Sequence, residues 1–314
     1  MTRAAWGIVG AGRAGGALAG ALVRGGATVL LWDRDPAVAK RVARAAGAER
    51  AGSLAELARG ARGIVLAVSD DALPAVARAL ARAWPQAGDE RFAPRAALHL
   101  AGALPSKVLQ PLAARGAAAG VCQPAVALHG VSSAGAMAGA FATVSGADPA
   151  GRRAAGSLAR AAGLRPVAVD DALRPLAHLG MVLAAGDTVA LLAEAAALLE
   201  RAGVPARIAR AMAAGLGEGS ARAFAARGAV RALTGPAARG DARTLGRHRA
   251  ALVAAGLAGS AAADAHRALA RAGAARAARA GALSPAAHAR VRAALDGWTG
   301  SPRSRTLPRG GRRP

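Results

Sequence analysis

The 314-residue chain has no tyrosine, and aromatic residues make up only 2% of it. Stacked rings therefore cannot form its core. The core must come from helices and strands packed closely around small residues, chiefly alanine, with Leu and Val filling the gaps. Cysteine is also scarce. Cys122 stands alone, which excludes a disulfide framework and any cysteine-based metal site and fits a reducing cytoplasm. Lysine occurs only at Lys40 and Lys107, so arginine carries nearly all of the formal charge of +24. Such a balance can mark a partner made of nucleic acid or anionic lipid. Here the arginines are spread along the chain, with no basic stripe and no interleaved aromatics. The Ala, Gly, Arg and Pro usage is that of GC-rich codons. Both points argue against a nucleic-acid partner.

Apolar runs free of ionisable groups are missing too. The N-terminal apolar stretch is interrupted by Arg13 and Arg24, and strand-turn-helix fits it better than a signal peptide. Leu176 to Leu199 carries His178, Asp187 and Glu194. Those groups point to a buried helix between domains or subunits, and no membrane partner is expected. The chain has no GxSxG elbow and no GxxxxGK[ST] phosphate loop. Its six histidines show no metal-ligand spacing, so no metal is expected.

The first half alternates short apolar runs with helical patterns. "WGIVGAG", "TVLLWD", "GIVLAVSD", "AALHLAG", "FATVSGA" and "RPVAVD" read as strands, with helices between them. Such alternation predicts an α/β fold with a doubly wound, mostly parallel sheet. After Asp171 only helical patterns follow. The expected division is a dinucleotide-binding domain over residues 1–170, an all-α domain over 171–297 and a disordered basic tail over 298–314. The first helix beyond the sheet is predicted as one long run, "LAHLGMVLAAGDTVALLAEAAALLERAG". Ser53 with Glu56, and Ser284 before Pro285, mark helix starts.

"GAGRAG" places glycines at 10, 12 and 15, directly after the first strand and at the opening of a helix. In a βαβ unit the first glycine makes the turn, the second admits a pyrophosphate and the third lets helix and strand pack. Gly10, Ala11, Gly12, Arg13, Ala14 and Gly15 thus form the candidate phosphate-binding turn at a helix N-terminus. Asp33 ends the second strand, where a residue that binds the adenosine ribose diol is expected. That choice favours NAD. Arg34 follows it and suits the 2′-phosphate of NADP, so the dipeptide leaves both cofactors open. Ser69 and Asp70 close one strand and His99 lies in another, where a nicotinamide would sit. His99 reads equally as a hydrogen-bonded core histidine.

"HLAGALPSKVLQPLAARGAAAGVCQPAVALHG", "HLGMVLAAGDTVALLAEAAALLERAGVP" and "ALTGPAARGDARTLGRHRAAL" resemble a family of NAD(P)-dependent oxidoreductases. Its members join a Rossmann-like domain to a helical domain of uncharacterised function. They are distantly similar to pyrroline-5-carboxylate reductase and ketopantoate reductase. The resemblance implies a dinucleotide cofactor and a homodimer formed through the helical domain. The chain departs from the family pattern at Ala101, Gln123, Val126, Ala127, Ala177 and Gly186, where members carry polar groups. It keeps His99, His178, His248 and the loop from Thr234 to Asp241.

These features predict a cytoplasmic enzyme that moves a hydride between nicotinamide and a small, anionic carbonyl, imine or alcohol. The substrate would lie between sheet and helices. His178 is the candidate proton donor or acceptor. Gln123, Thr234 and Arg239 are the candidate substrate ligands. The alternative is a dinucleotide-binding sensor or scaffold that has shed its catalytic groups.

Overall fold

The computed structural model describes residues 4–85 and 95–298. The expected basic tail lies, from residue 299 on, outside the described residues. The chain forms two compact units, Met1–Ala185 and Gly186–Pro314.

The first unit runs β1 (Ala4–Val9), α1 (Arg13–Arg24), β2 (Val29–Trp32), α2 (Pro36–Ala46), β3 (Glu49–Arg50), α3 (Leu54–Gly60) and β4 (Ala61–Leu66). It continues with α4 (Leu73–Arg82), β5 (Ala96–His99), α5 (Gln110–Ala113), β6 (Ala118–Pro124), β7 (Phe141–Gly146), α6 (Pro149–Ala161), β8 (Arg165–Ala168) and α7 (Arg174–Ala184). The eight strands make one sheet in the order β3-β2-β1-β4-β5-β6-β7-β8. All pairs are parallel except β6 with β7.

Neighbouring strand residues point to opposite faces, and both faces are covered. Ile8, Val65 and Leu98 join one core with Leu18 and Leu22 of α1 and Leu158 of α6. Val9, Ile64 and Leu66 join the other with Leu57 of α3, Leu80 of α4 and Leu112 of α5. The helix starts follow from local chemistry. Asp35 caps α2 ahead of Pro36, and Ser53 accepts from Glu56 N–H. Glu56 reaches back to Gly52 N–H, one residue before the cap.

The second unit contains α8 (Gly186–Arg201), α9 (Ala206–Ala232), α10 (Pro236–Arg239), α11 (Ala242–Ala254), α12 (Ala261–Arg279) and α13 (Pro285–Asp296). Leu245, Ala274, Leu283, Val291 and Leu295 form its core. Among its described residues there is no strand, as the sequence pattern predicts.

The structure differs from expectation in several places. β3, only two residues long, and β6, whose "AAGVCQP" carries no alternation, were not legible as strands. The long helical run is two helices, interrupted at Ala185 with φ −118° and ψ −83°. The compact unit that holds the sheet extends to Ala185, and α7 is tied to β6 and β7 by hydrogen bonds. By length and composition alone, the run Asp171–Arg201, which holds an 18-residue window of mean hydropathy 1.8, could cross a membrane. The start of that run, Asp171 to His178, is instead engaged with the sheet.

Candidate functional site

Where β1 has β2 on one side and β4 on the other, the strand order reverses, and ligands bind beyond the strand ends at such a point. Three glycines shape the turn there, each for a different reason. Gly10 has φ +103°, and a Cβ on it would stand 2.6 Å from the Ala67 carbonyl oxygen. A Cβ on Gly15 would overlap the Gly10 carbonyl oxygen. A Cβ on Gly12 would meet no protein atom within 4 Å, so this glycine faces space left open for a ligand. No side chain caps α1 at Gly12, which leaves first-turn N–H groups for an anion. The turn therefore fits a dinucleotide pyrophosphate.

A cleft of about 320 Å³ lies over it, lined by Gly10, Gly12, Trp32, Asp33, Arg34 and Ser69 among others. Asp33 braces this turn. One carboxylate oxygen accepts from Ala11 N–H at 2.7 Å and the other from Asp35 N–H at 3.0 Å. The exposed Arg34 shares the cleft. Arg13 is exposed at the first position of α1.

A second cleft, of about 290 Å³, shares Ala67 and Val68 with the first. Ala14, Asp70, Ala101, Gly102, Gln123 and His178 line it. His178 Nδ1 lies 2.9 Å from Gln123 Nε2. The direction of this hydrogen bond is fixed from behind. Arg174 has only donors, and its Nη2 lies 3.3 Å from Gln123 Oε1. Thr143 Oγ1 also donates to that oxygen, at 3.4 Å. The Gln123 amide nitrogen must therefore face His178 and donate to Nδ1, which leaves the hydrogen of the neutral ring on Nε2. Gly102 makes room for this pair, since a Cβ there would overlap both His178 Nδ1 and Gln123 Nε2.

Arg174 is 1% exposed. Burial pulls its pKa down and Asp171 opposes that. The two charges are bridged by Ser145, whose hydroxyl accepts from Arg174 Nη1 at 3.1 Å and donates to Asp171 at 2.6 Å. Asp171 also accepts from the backbone N–H and hydroxyl of Ser106. Sequence reasoning missed Arg174, Asp171, Ser145 and Ser106.

Within the first unit, one expected site residue stands apart from these clefts. His99 is fully buried, and its Nε2 lies 3.3 Å from the Pro105 carbonyl oxygen. Burial, with a smaller push from Arg174, lowers its pKa to about 4, so the ring is neutral at pH 7. It lines neither cleft. Thr234 and Arg239 belong to the helical unit, where the Arg239 guanidinium donates to the Thr234 carbonyl. Asp241 caps α11 through Thr244.

Residues 1–130 match the Rossmann-like domain model, and residues 140–289 match DUF2520, a domain of unknown function. The two matches follow one another along the chain. No curated protein matches it. Among solved structures it resembles a Bacteroides fragilis protein provisionally named an NADP oxidoreductase. That match has 22% identity and a TM-score of 0.66, covering 87% of this chain and 98% of that one. It also resembles an Aspergillus terreus reductive aminase solved with NADPH and ethyl-5-oxohexanoate, at 20% identity and TM-score 0.65, covering 93% and 99%. A third is Plasmodium falciparum pyrroline carboxylate reductase with NADP bound, at 12% identity and TM-score 0.52, covering 71% and 79%. At these identities the likeness is one of fold. The Rossmann-like domain carries the glycine turn, and the DUF2520 match begins before β7.

Proposed function

We propose that this Rossmann–DUF2520 chain is an NADP(H)-dependent oxidoreductase acting on a small carbonyl or imine. The carrying observation is the pair of clefts that share Ala67 and Val68. One has the glycine turn, the other a histidine whose tautomer is fixed. A bound nicotinamide supplies the hydride. The protein does the rest. The N–H groups at the start of α1 hold the pyrophosphate. Arg34 offers its guanidinium to a 2′-phosphate, while both Asp33 oxygens accept backbone N–H groups. The reductive aminase and the pyrroline carboxylate reductase were solved with NADPH and NADP, which supports this choice over NAD. His178 presents Nε2–H to the substrate heteroatom and polarises it through that hydrogen bond, while solvent supplies the proton. Gln123 orients the ring through Nδ1, and Arg174 orients Gln123.

Titration followed by nicotinamide fluorescence tests the cofactor. NADPH is expected to bind more tightly than NADH. Arg34→Ala is expected to cut NADPH affinity by about tenfold or more, the worth of a charge-assisted hydrogen bond, and to leave NADH unchanged. A panel of oxo acids and imines then tests turnover. His178→Ala is expected to lower kcat by about 10²- to 10⁴-fold with cofactor affinity intact. Failure to bind either nucleotide would refute the whole reading, and unchanged turnover would remove His178 from it.

The same proposal includes a cytoplasmic location, consistent with the single buried thiol of Cys122, and a homodimer. Helices α8 and α9 expose Val189, Leu191, Ile208, Met212, Leu216 and Phe224. Soluble monomers rarely leave so much apolar surface in water. Two antiparallel copies of one apolar helix pair can cover each other around a two-fold axis.

A further inference from the structure

We infer that the helical unit carries a second ligand site, built for a small organic carboxylate with an apolar body. The site is a chamber of about 490 Å³ walled by α8, α11 and α12, a volume in the range of small-molecule pockets. Its walls are Leu198, Leu252, Leu257 and several alanines, and its polar lining is Arg201, His248 and His266. Among the described residues, no carboxylate lines it. Asp264, also on α12, is paired with Arg267.

Arg201 and one imidazole N–H of the histidine pair are available to donate. Arg201 commits Nη2 to the Ala255 carbonyl at 3.1 Å. That contact holds the guanidinium against the end of α11 and leaves further N–H groups for a ligand. His248 Nδ1 and His266 Nε2 are 3.1 Å apart. Two neutral imidazoles carry one N–H each, and their mutual bond uses one of them. The other remains, on His248 Nε2 or His266 Nδ1, whichever way the shared hydrogen points. Trp298 lies against His266 with ring centroids 5.4 Å apart and helps fix that ring. Burial and the neighbouring His248 hold the pKa of His266 below its usual value.

A guanidinium with no carboxylate in the same lining selects an anion. Apolar walls select one whose charge is confined to one end. A planar carboxylate fits both, since a guanidinium receives it through two parallel hydrogen bonds. This site lies wholly in the helical unit and does not depend on the cofactor reading.

Calorimetry on the full chain tests the inference, with sodium octanoate as ligand and 1-octanol as neutral control. One saturable octanoate site per chain is expected, with octanol at least tenfold weaker. Arg201→Gln and His248→Gln are each expected to weaken octanoate about tenfold and to leave NADPH titration unchanged. Absence of saturable octanoate binding would overturn the inference, as would equal binding of octanol or wild-type affinity in Arg201→Gln. Arg201 is exposed on α8, so its variant keeps the test decisive if His248→Gln does not fold.

Discussion

His99 is neutral in the folded protein because burial has removed water from its ring. An unfolded chain returns it to a pKa near 6.5. Below that value the unfolded state binds a proton that the native state refuses until about pH 4. Stability from this residue is therefore complete above pH 6.5 and falls as the pH drops toward 4. The loss is about 3 kcal/mol, because each tenfold difference in proton affinity between the two states is worth about 1.4 kcal/mol. Thermal melts from pH 7.5 to 4 are expected to fall more steeply in wild type than in His99→Gln. Parallel slopes would show that another group governs acid unfolding. Little of this was legible from the letter alone. The sequence placed His99 in a strand, but which carbonyl and which charges would surround it depends on residues far along the chain. Arg174 and Asp171 were hidden for the same reason. Their partners Gln123, Ser145 and Ser106 are 26 to 65 positions away, and nothing in a local window marks a buried arginine as the support of a glutamine. Gln123 itself stood out as a departure from a family pattern. The structure makes it the group that sets the His178 tautomer.

At the scale of elements, the turn between β1 and α1 was the most legible feature, because its glycines answer to backbone geometry written in adjacent residues. Strand β6 and the break between α7 and α8 were not legible. Both lie in alanine-rich runs, where small residues give neither alternation nor a helical face. The turn also allows binding and folding to be separated. Gly12 has φ −72° and open space where its Cβ would go, so Gly12→Val is expected to leave the melting temperature close to wild type. It is also expected to abolish NADPH binding by filling the approach to the pyrophosphate. Gly15→Val places its Cβ on the Gly10 carbonyl. It is expected to cost about 1–3 kcal/mol of stability through overpacking, as well as binding. Thermal melts and fluorescence titrations of the two variants check this. A destabilised Gly12→Val with intact NADPH binding would contradict the roles given to these positions.

At the scale of the whole molecule, two properties oppose each other in the proposed homodimer. The formal charge of +24 makes two copies repel, while the exposed side chains of α8 and α9 gain by leaving water. Salt screens the first and leaves the second. Dimerisation is therefore expected to strengthen as sodium chloride rises from 50 to roughly 500 mM, well past the range where the Debye length falls below 10 Å. A complex held by arginine contacts to DNA would respond in the opposite sense, since counterion release weakens it with salt. Sedimentation equilibrium across that range distinguishes the two forces. Leu216→Arg, which puts a charge on the exposed leucine of α9, is expected to give monomers at every salt concentration. A dimer unaffected by Leu216→Arg would move the interface elsewhere. A monomeric wild type would leave the apolar faces of α8 and α9 without the partner that their composition calls for.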